Sequence, residues 1–229
     1  MIMNNFMQNF WTENNMKKKK IYLVGILAIL VSVIAVASAV YSGELDSRIN
    51  AFNNSITQAE RGNYTEAIKE LNNIYLNHSN DYLVNLRLGY LYYITKKYDE
   101  SIKFYSKAVE LRNHQSVEAY LGLVLPLAAK EKWNDVAKSY EKILAHDPNN
   151  YTANLRLGQI MMNRKEYKNA DQYLSKVNRL FPSDYEANLS YGWNLFYLNR
   201  KAEAREKFIY VLMVSKNDES ATEGLKLVD

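Results

Sequence analysis

Two hydrophobic patterns divide the chain. Residues 21–41 are almost wholly apolar, and no charged residue stands between Ile21 and Gly43. At ~1.5 Å per residue such a stretch makes a helix of ~31 Å, about the thickness of a bilayer's hydrocarbon core. From residue 48 onward the pattern changes. Apolar positions recur at spacings of three and four in short blocks separated by polar turns, which predicts amphipathic helices in pairs. In the stretch from Tyr82, one helix carries Leu88, Gly89 and Tyr92, and a turn follows at residues 95–97. The next opens at Tyr98 and carries Ile102, Tyr105, Ala108 and Val109 on one face. Polar residues around Asn113 close this unit, and Pro148 and Pro182 hold the equivalent place further on, where proline cannot continue a helix.

The pairs are copies. Asp81-Tyr82-Leu83-Val84-Asn85-Leu86-Arg87-Leu88-Gly89 recurs as Asn150-Tyr151-Thr152-Ala153-Asn154-Leu155-Arg156-Leu157-Gly158, and again as Asp184-Tyr185-Glu186-Ala187-Asn188-Leu189-Ser190-Tyr191-Gly192. A looser copy, Val117-Glu118-Ala119-Tyr120-Leu121-Gly122, lies between the first two. Five glycines, Gly89, Gly122, Gly158, Gly192 and Gly224, fall 33, 36, 34 and 32 residues apart and suggest one register. Small residues such as Gly89 and Ala108 are expected where helix backbones approach closely. Counted from the glycines, the third unit departs from the others: Gly122 to Trp133 is eleven residues, while Gly89 to Tyr98 and Gly158 to Tyr167 are nine. This predicts a longer first helix there. Pro126 within it removes one helical hydrogen bond and could kink it.

With Leu-Gly-x-x-Tyr in the first helix, Tyr-x-x-Ala at Tyr64-Thr65-Glu66-Ala67 and Tyr167-Lys168-Asn169-Ala170, and a period near 34, the array resembles the tetratricopeptide repeat family. The units read are 48–81, 82–115, 116–150, 151–184 and 185–218, with 219–229 as a capping helix. Before them stand a basic-ended tail (1–20), the apolar segment (21–41) and a linker (42–47). The resemblance implies an all-α fold, a right-handed superhelical solenoid of antiparallel helix pairs whose inner groove is lined by the first helices. It also implies protein–protein interaction in place of catalysis. The residues that the family places on the groove are Leu86, Tyr90, Tyr93 and Ile94; Leu123 and Leu127; Leu155, Gln159 and Met162; and Leu189, Trp193, Phe196 and Tyr197. All but Ile94 and Leu155 are taken as partner-binding candidates, because aromatic and aliphatic side chains anchor a bound peptide or helix at small entropic cost. A lysine–asparagine clamp for a terminal carboxylate is not expected on so apolar a surface. Arg87 and Arg156 stand one step away from it.

Composition narrows the chemistry. The chain has no cysteine, which removes thiolate metal sites, catalytic thiols and disulfides. His78, His114 and His146 lie singly near the ends of second helices, where the helix dipole accounts for them. Neither a glycine-rich phosphate loop nor a Gly-x-Ser-x-Gly nucleophile motif is present, so no catalytic, cofactor or metal residue is assigned. Of the formal net charge of +4, the lysines Lys17, Lys18, Lys19 and Lys20 supply most, leaving a near-neutral body with no footprint for nucleic acid. Four lysines ahead of the apolar segment predict that the repeats lie outside the cytoplasm, tethered by a single-pass anchor. The alternative is release after cleavage near Ala39, at Ala37-Ser38-Ala39, above all if translation starts at Met16. The function expected is that of an interaction scaffold for a protein or peptide. A self-assembling envelope subunit is the alternative, an accessory to an envelope enzyme a weaker one, and homo-oligomers are compatible with either of the first two.

Overall fold

A computed structural model describes the backbone of residues 2–229, with the side chains of Leu27, 29–38, 40–43, 45 and 47–229. The side chains of Lys17, Lys18, Lys19, Lys20 and Ala39 lie outside the described residues. Among the described residues there are eleven helices and no strand: α1 (Ile2–Glu60), α2 (Tyr64–His78), α3 (Tyr82–Ile94), α4 (Tyr98–Leu111), α5 (Val117–Ala129), α6 (Trp133–His146), α7 (Tyr151–Asn163), α8 (Tyr167–Leu180), α9 (Tyr185–Tyr197), α10 (Lys201–Val214) and α11 (Glu219–Val228). They pack in chain order, each on its neighbour, as an α-solenoid. Residues 42–47, expected as a linker, are helical: α1 runs unbroken from the apolar segment into the first repeat. Apolar side chains along it, Ile34 and Val36 among them, are exposed. Over Ile29–Glu60 the helix is long and apolar enough to cross a membrane.

The recurring Asp/Asn-Tyr-x-x-Asn sequence has a physical reading at each of its three polar positions. The first residue caps a helix: Asp81 accepts from the Leu83 and Val84 amides at 2.9 and 3.2 Å, and Asn150, Asp184 and Asp218 accept from Ala153, Ala187 and Ala221 at 3.0, 2.8 and 2.7 Å. Ser116 does the same for Ala119. The tyrosine reaches forward to the next cap. The Tyr151 hydroxyl donates to Asp184 at 2.7 Å, that of Tyr185 donates to Asp218, and that of Tyr82 lies 2.8 Å from Ser116 and donates to Glu118. Arg48 plays this part in the first unit, donating to Asp81 at 3.1 Å. The asparagine reaches backward. Asn85, Asn154 and Asn188 are buried, and each donates to two carbonyls of the turn just passed: Ser79 and Asp81, Pro148 and Asn150, Pro182 and Asp184. A buried amide so satisfied fixes the turn it crosses.

Turns within a pair repeat as faithfully. A residue with positive φ stands at the same place in each, namely Gly62, Lys96, Glu131, Lys165 and Asn199. Only Gly62 takes that conformation without steric cost.

The glycines do not share one register. α5 has 13 residues, the same as α3, α7 and α9, so the longer third-unit helix expected from Gly122 is not formed. The extra residue sits in the turn before it, 112–116, where Asn113 and His114 have positive φ. Gly122 is two positions nearer the helix start than Gly89 or Gly158, and Gly224 is displaced in the same way. α5 continues through the buried Pro126.

Each position has its own reason to lack a side chain. A Cβ on Gly89 would lie 2.8 Å from the Tyr105 ring, and one on Gly122 would lie 2.2 Å from the other side of it. Gly192 and Gly224 enclose the Phe208 ring likewise, at 2.9 and 2.5 Å, while Gly158 makes room for Leu174 at 2.6 Å. The glycines thus form slots for a large side chain of a second helix, one wall from its own unit and one from the next. This replaces the expectation that they bring two backbones together.

Two stability tests follow from these contacts. Gly122→Ala should cost ~1–3 kcal/mol by overpacking, and less in a Tyr105→Leu background, where the slot is emptier. Urea unfolding of the four chains measures that coupling, and equal costs in both backgrounds would show that the ring does not set the slot. Tyr151→Phe should cost about 0.5–1.5 kcal/mol by deleting one bridge between units. Burial, followed by the bond to Asp184, raises the Tyr151 hydroxyl above its usual 10.0. The folded chain therefore holds this proton more tightly than the unfolded chain, and stability should fall as pH rises above 10. Denaturation between pH 9 and 11 should show a shallower fall for Tyr151→Phe (pH range on the order of the usual tyrosine value).

Candidate partner-binding groove

First helices lie side by side in two groups, α3 with α5 and α7 with α9 and α11, and expose one face. Near the N-terminal end this face holds a depression of about 270 Å³ between α1, α3 and α5, lined by Phe52, Leu83, Leu86, Arg87, Tyr90 and Glu118 together with Tyr105 and Gly122. Tyr90 is 41% exposed there, with the Arg87 guanidinium 5.7 Å from its ring centre. Leu86, Tyr93 and Ile94 are half-buried, and Tyr93 touches Tyr98 at 6.1 Å between ring centres.

At the other end, α9 carries an aromatic cluster. Trp193 lies 5.8 Å from Phe196 and 6.2 Å from Tyr197, and Phe196 lies 5.4 Å from Tyr197. Their helical spacing of three and four puts them on one side. Tyr197 is half exposed and stacks on Tyr167 of α8 at 4.7 Å. Trp193 is less free. Its ring packs edge-on against the buried Phe208 at 5.1 Å and its indole N–H donates to Ser220 at 2.9 Å, so it joins α9 to both α10 and α11.

Between the two apolar stretches lies a polar network. Arg156 pairs with Glu186 and donates to Gln159 Oε1 at 2.9 Å, and Gln159 donates onward to Ser190 at 2.9 Å and Glu186 at 3.2 Å. Gln159, read as a groove contact, is thus committed to joining α7 to α9. Met162 and Leu189 are half-buried against the core.

The candidates on α5 need correction. Leu123 and Leu127 are buried in the core, as is Leu155 of α7. Leu123 and Leu127 stand two residues past the face. The α5 positions matching Leu86 and Tyr90 are Leu121 and Leu125, and Leu125 is 41% exposed. Counting from the cap, Ser116, would have found them. Phe52 was missed because the first unit lacks both the glycine and the Asp-Tyr start.

Among the described residues no three His, Cys, Asp or Glu side chains converge as metal ligands. Burial pushes the Tyr105 hydroxyl up to about 12, which leaves it neutral. The bond from Arg200 holds the Glu203 carboxyl below its usual value, and the same bond raises Arg200.

These features define a solenoid of helical hairpins. Tetratricopeptide-repeat models match residues 54–116 and 127–189, together more than half of the chain, and the chain belongs to the tetratricopeptide repeat family. Repeat proteins of this family generally mediate protein–protein interactions. Anaphase-promoting complex subunit 6 of Arabidopsis thaliana is 28% identical over 125 residues, which is 55% of this chain. The match spans 23% of that relative, so the chain corresponds to about a quarter of it. Solved structures share the fold at low identity. A tetratricopeptide repeat protein from Parabacteroides merdae ATCC 43184 superposes with a TM-score of 0.70 at 16% identity, over 80% of this chain and 72% of that one. YrrB, described as a TPR protein with an unusual peptide-binding site, gives 0.66 at 15% over 78% and 92%. MamA gives 0.66 at 19% over 73% and 91%.

The two aromatic side chains on α9 should separate in a stability assay. Trp193→Ala should lower stability by about 2–3 kcal/mol, less than a fully buried tryptophan because the residue is half-buried. Tyr197→Ala should cost about 1 kcal/mol, the scale of one aromatic pair. Thermal melts of both variants check the order, and a reversal would place Tyr197 in the core.

Proposed function

We propose that this chain is a non-enzymatic scaffold that binds a protein or peptide segment along the face of its first helices, and that α1 holds it at a membrane. The observation that carries the reading is the exposure of Tyr90, Leu125 and Tyr197 on a face that also has a lined depression. Apolar and aromatic groups left open beside a preformed concavity are what a peptide or amphipathic helix uses as anchor points. The described peptide-binding site of YrrB, on the same fold, is consistent with this use. Among the original candidates, Leu86, Tyr90, Tyr93, Trp193, Phe196 and Tyr197 remain the proposed contacts, joined by Leu121 and Leu125.

The continuity of α1 favours an anchored form over a released one, since the apolar stretch and the first repeat share one helix. With Lys17, Lys18, Lys19 and Lys20 before the span, the repeats stand outside the cytoplasm.

Two experiments test the reading. Capture of partners by crosslinking in native membranes supplies a binding assay, in which Tyr90→Ala and Tyr197→Ala should each weaken affinity by ~2 kcal/mol or more, the scale of an interface hot spot. Unchanged affinity in both would remove the groove from the interface. A reporter active only in the cytoplasm, fused after Asp229, should be silent, and activity there would reverse the topology.

A further inference from the structure

The junction between the third and fourth units keeps its backward bonds, from Asn154 to Pro148 and Asn150 and from Lys176 to Pro148, but lacks the forward link found at the others. The position of Tyr82, Tyr151 and Tyr185 is taken by Val117, which has no hydroxyl to give to the next cap. That cap, Asn150, bonds its own helix through Ala153 and its own turn through Asp147, at 3.0 Å each. The glycine slot is missing too. Around Tyr140, the counterpart of Tyr105 and Phe208, the wall positions are Val124 and Arg156. On the opposite edge, Lys130 pairs with Asp99 across the second junction and Arg200 with Asp171 across the fourth at 3.0 Å. Across the third, Arg164 meets two neutral oxygens, the side-chain amide of Asn134 at 2.7 Å and the carbonyl of Trp133 at 3.5 Å.

A cleft of about 750 Å³ opens at that edge, between the start of α6 and the end of α7. Trp133 stands at its mouth, 50% exposed, whereas Tyr98 and Tyr167 at the matching place rest on other rings. Apart from the bonds of Asn154, Lys176 and Arg164, apolar contacts hold the junction, with Ile143, Ala153 and Leu157 fully buried in one continuous core. Such contacts hold area out of water without fixing direction, so two surfaces can roll on one another while staying dry. Hydrogen bonds and filled slots fix direction.

We propose that the solenoid bends at the α6–α7 junction, with the units up to α6 and those from α7 onward moving as two stiffer halves. The bend swings the aromatic cluster of α9 relative to Tyr90 and Leu125, so it alters the width of the surface between them. It opens or narrows the Trp133 cleft on the far edge at the same time. This motion belongs to the free chain, and its test is separate from the groove reading because no partner takes part.

The absence of cysteine makes paired spin labels straightforward on the full chain in vesicles or detergent. Cysteines replace exposed second-helix residues in three pairs, Lys103 with Lys142, Lys142 with Gln172, and Gln172 with Glu206, each spanning one junction. Double electron–electron resonance should give a broader distance distribution for Lys142 with Gln172 than for the other two. Restoring the missing link with Val117→Tyr and Asn150→Asp should narrow that distribution to the width of its neighbours. Equal widths at all three junctions, or a middle width that the restored link leaves unchanged, would overturn the proposal.

Discussion

One oxygen-bearing side chain does two jobs at four of the five junctions, at Asp81, Ser116, Asp184 and Asp218, and the array depends on that sharing. The cap of a first helix must satisfy amides that the helix itself leaves open. In this chain the same residue also receives the hydroxyl or guanidinium from the unit before, as Asp184 receives Tyr151. The end of one unit and the beginning of the next are therefore set by one group. Because that group cannot satisfy its helix without standing at a fixed place, the preceding unit inherits its register. The buried asparagines complete the arrangement from inside, since Asn188 holds the turn ahead of the cap and accepts from Asn178 at 2.8 Å.

Side-chain volume settles what hydrogen bonds leave open. Tyr105 and Phe208 are too large for a helix–helix contact lined by ordinary residues, and glycines on both sides give them room. Where Leu174 replaces the ring, one glycine suffices and Ser190 serves as the other wall. Ring size and wall size vary together around Tyr105, Leu174 and Phe208, whereas Tyr140 is buried with Val124 and Arg156 at the wall positions.

The all-helical, paired character of the chain could be read from the sequence because it is set by local periodicity and by caps within a few residues. The face that meets a partner was harder to read. It depends on register, and register was counted from glycines that answer to two different neighbours. Gly122 marks contact with the unit before it, Gly158 contact with its own, and nothing in a lone glycine tells these apart. Leu123 and Leu127, which the family pattern puts on the groove, are core, and Leu125 takes the exposed place. Trp193 shows a second limit: spacing put it on the correct face, but its contacts with Phe208 and Ser220 come from helices further along the chain. The helical state of residues 42–47 had no local signal, since glycine and charge there read as a break.

The forward reach of the tyrosines has a consequence for how such a chain is made. Tyr151 and Asp184 are 33 residues apart, and Tyr82 and Ser116 are 34. A ribosome delivers the donor first and the acceptor about one unit later, so each unit stays unlatched until its successor has begun to emerge. Closure then advances from the N-terminus in steps of one repeat. At Val117 the sequence asks for no such wait. The earlier units can finish there, while the rest of the chain is still being synthesised.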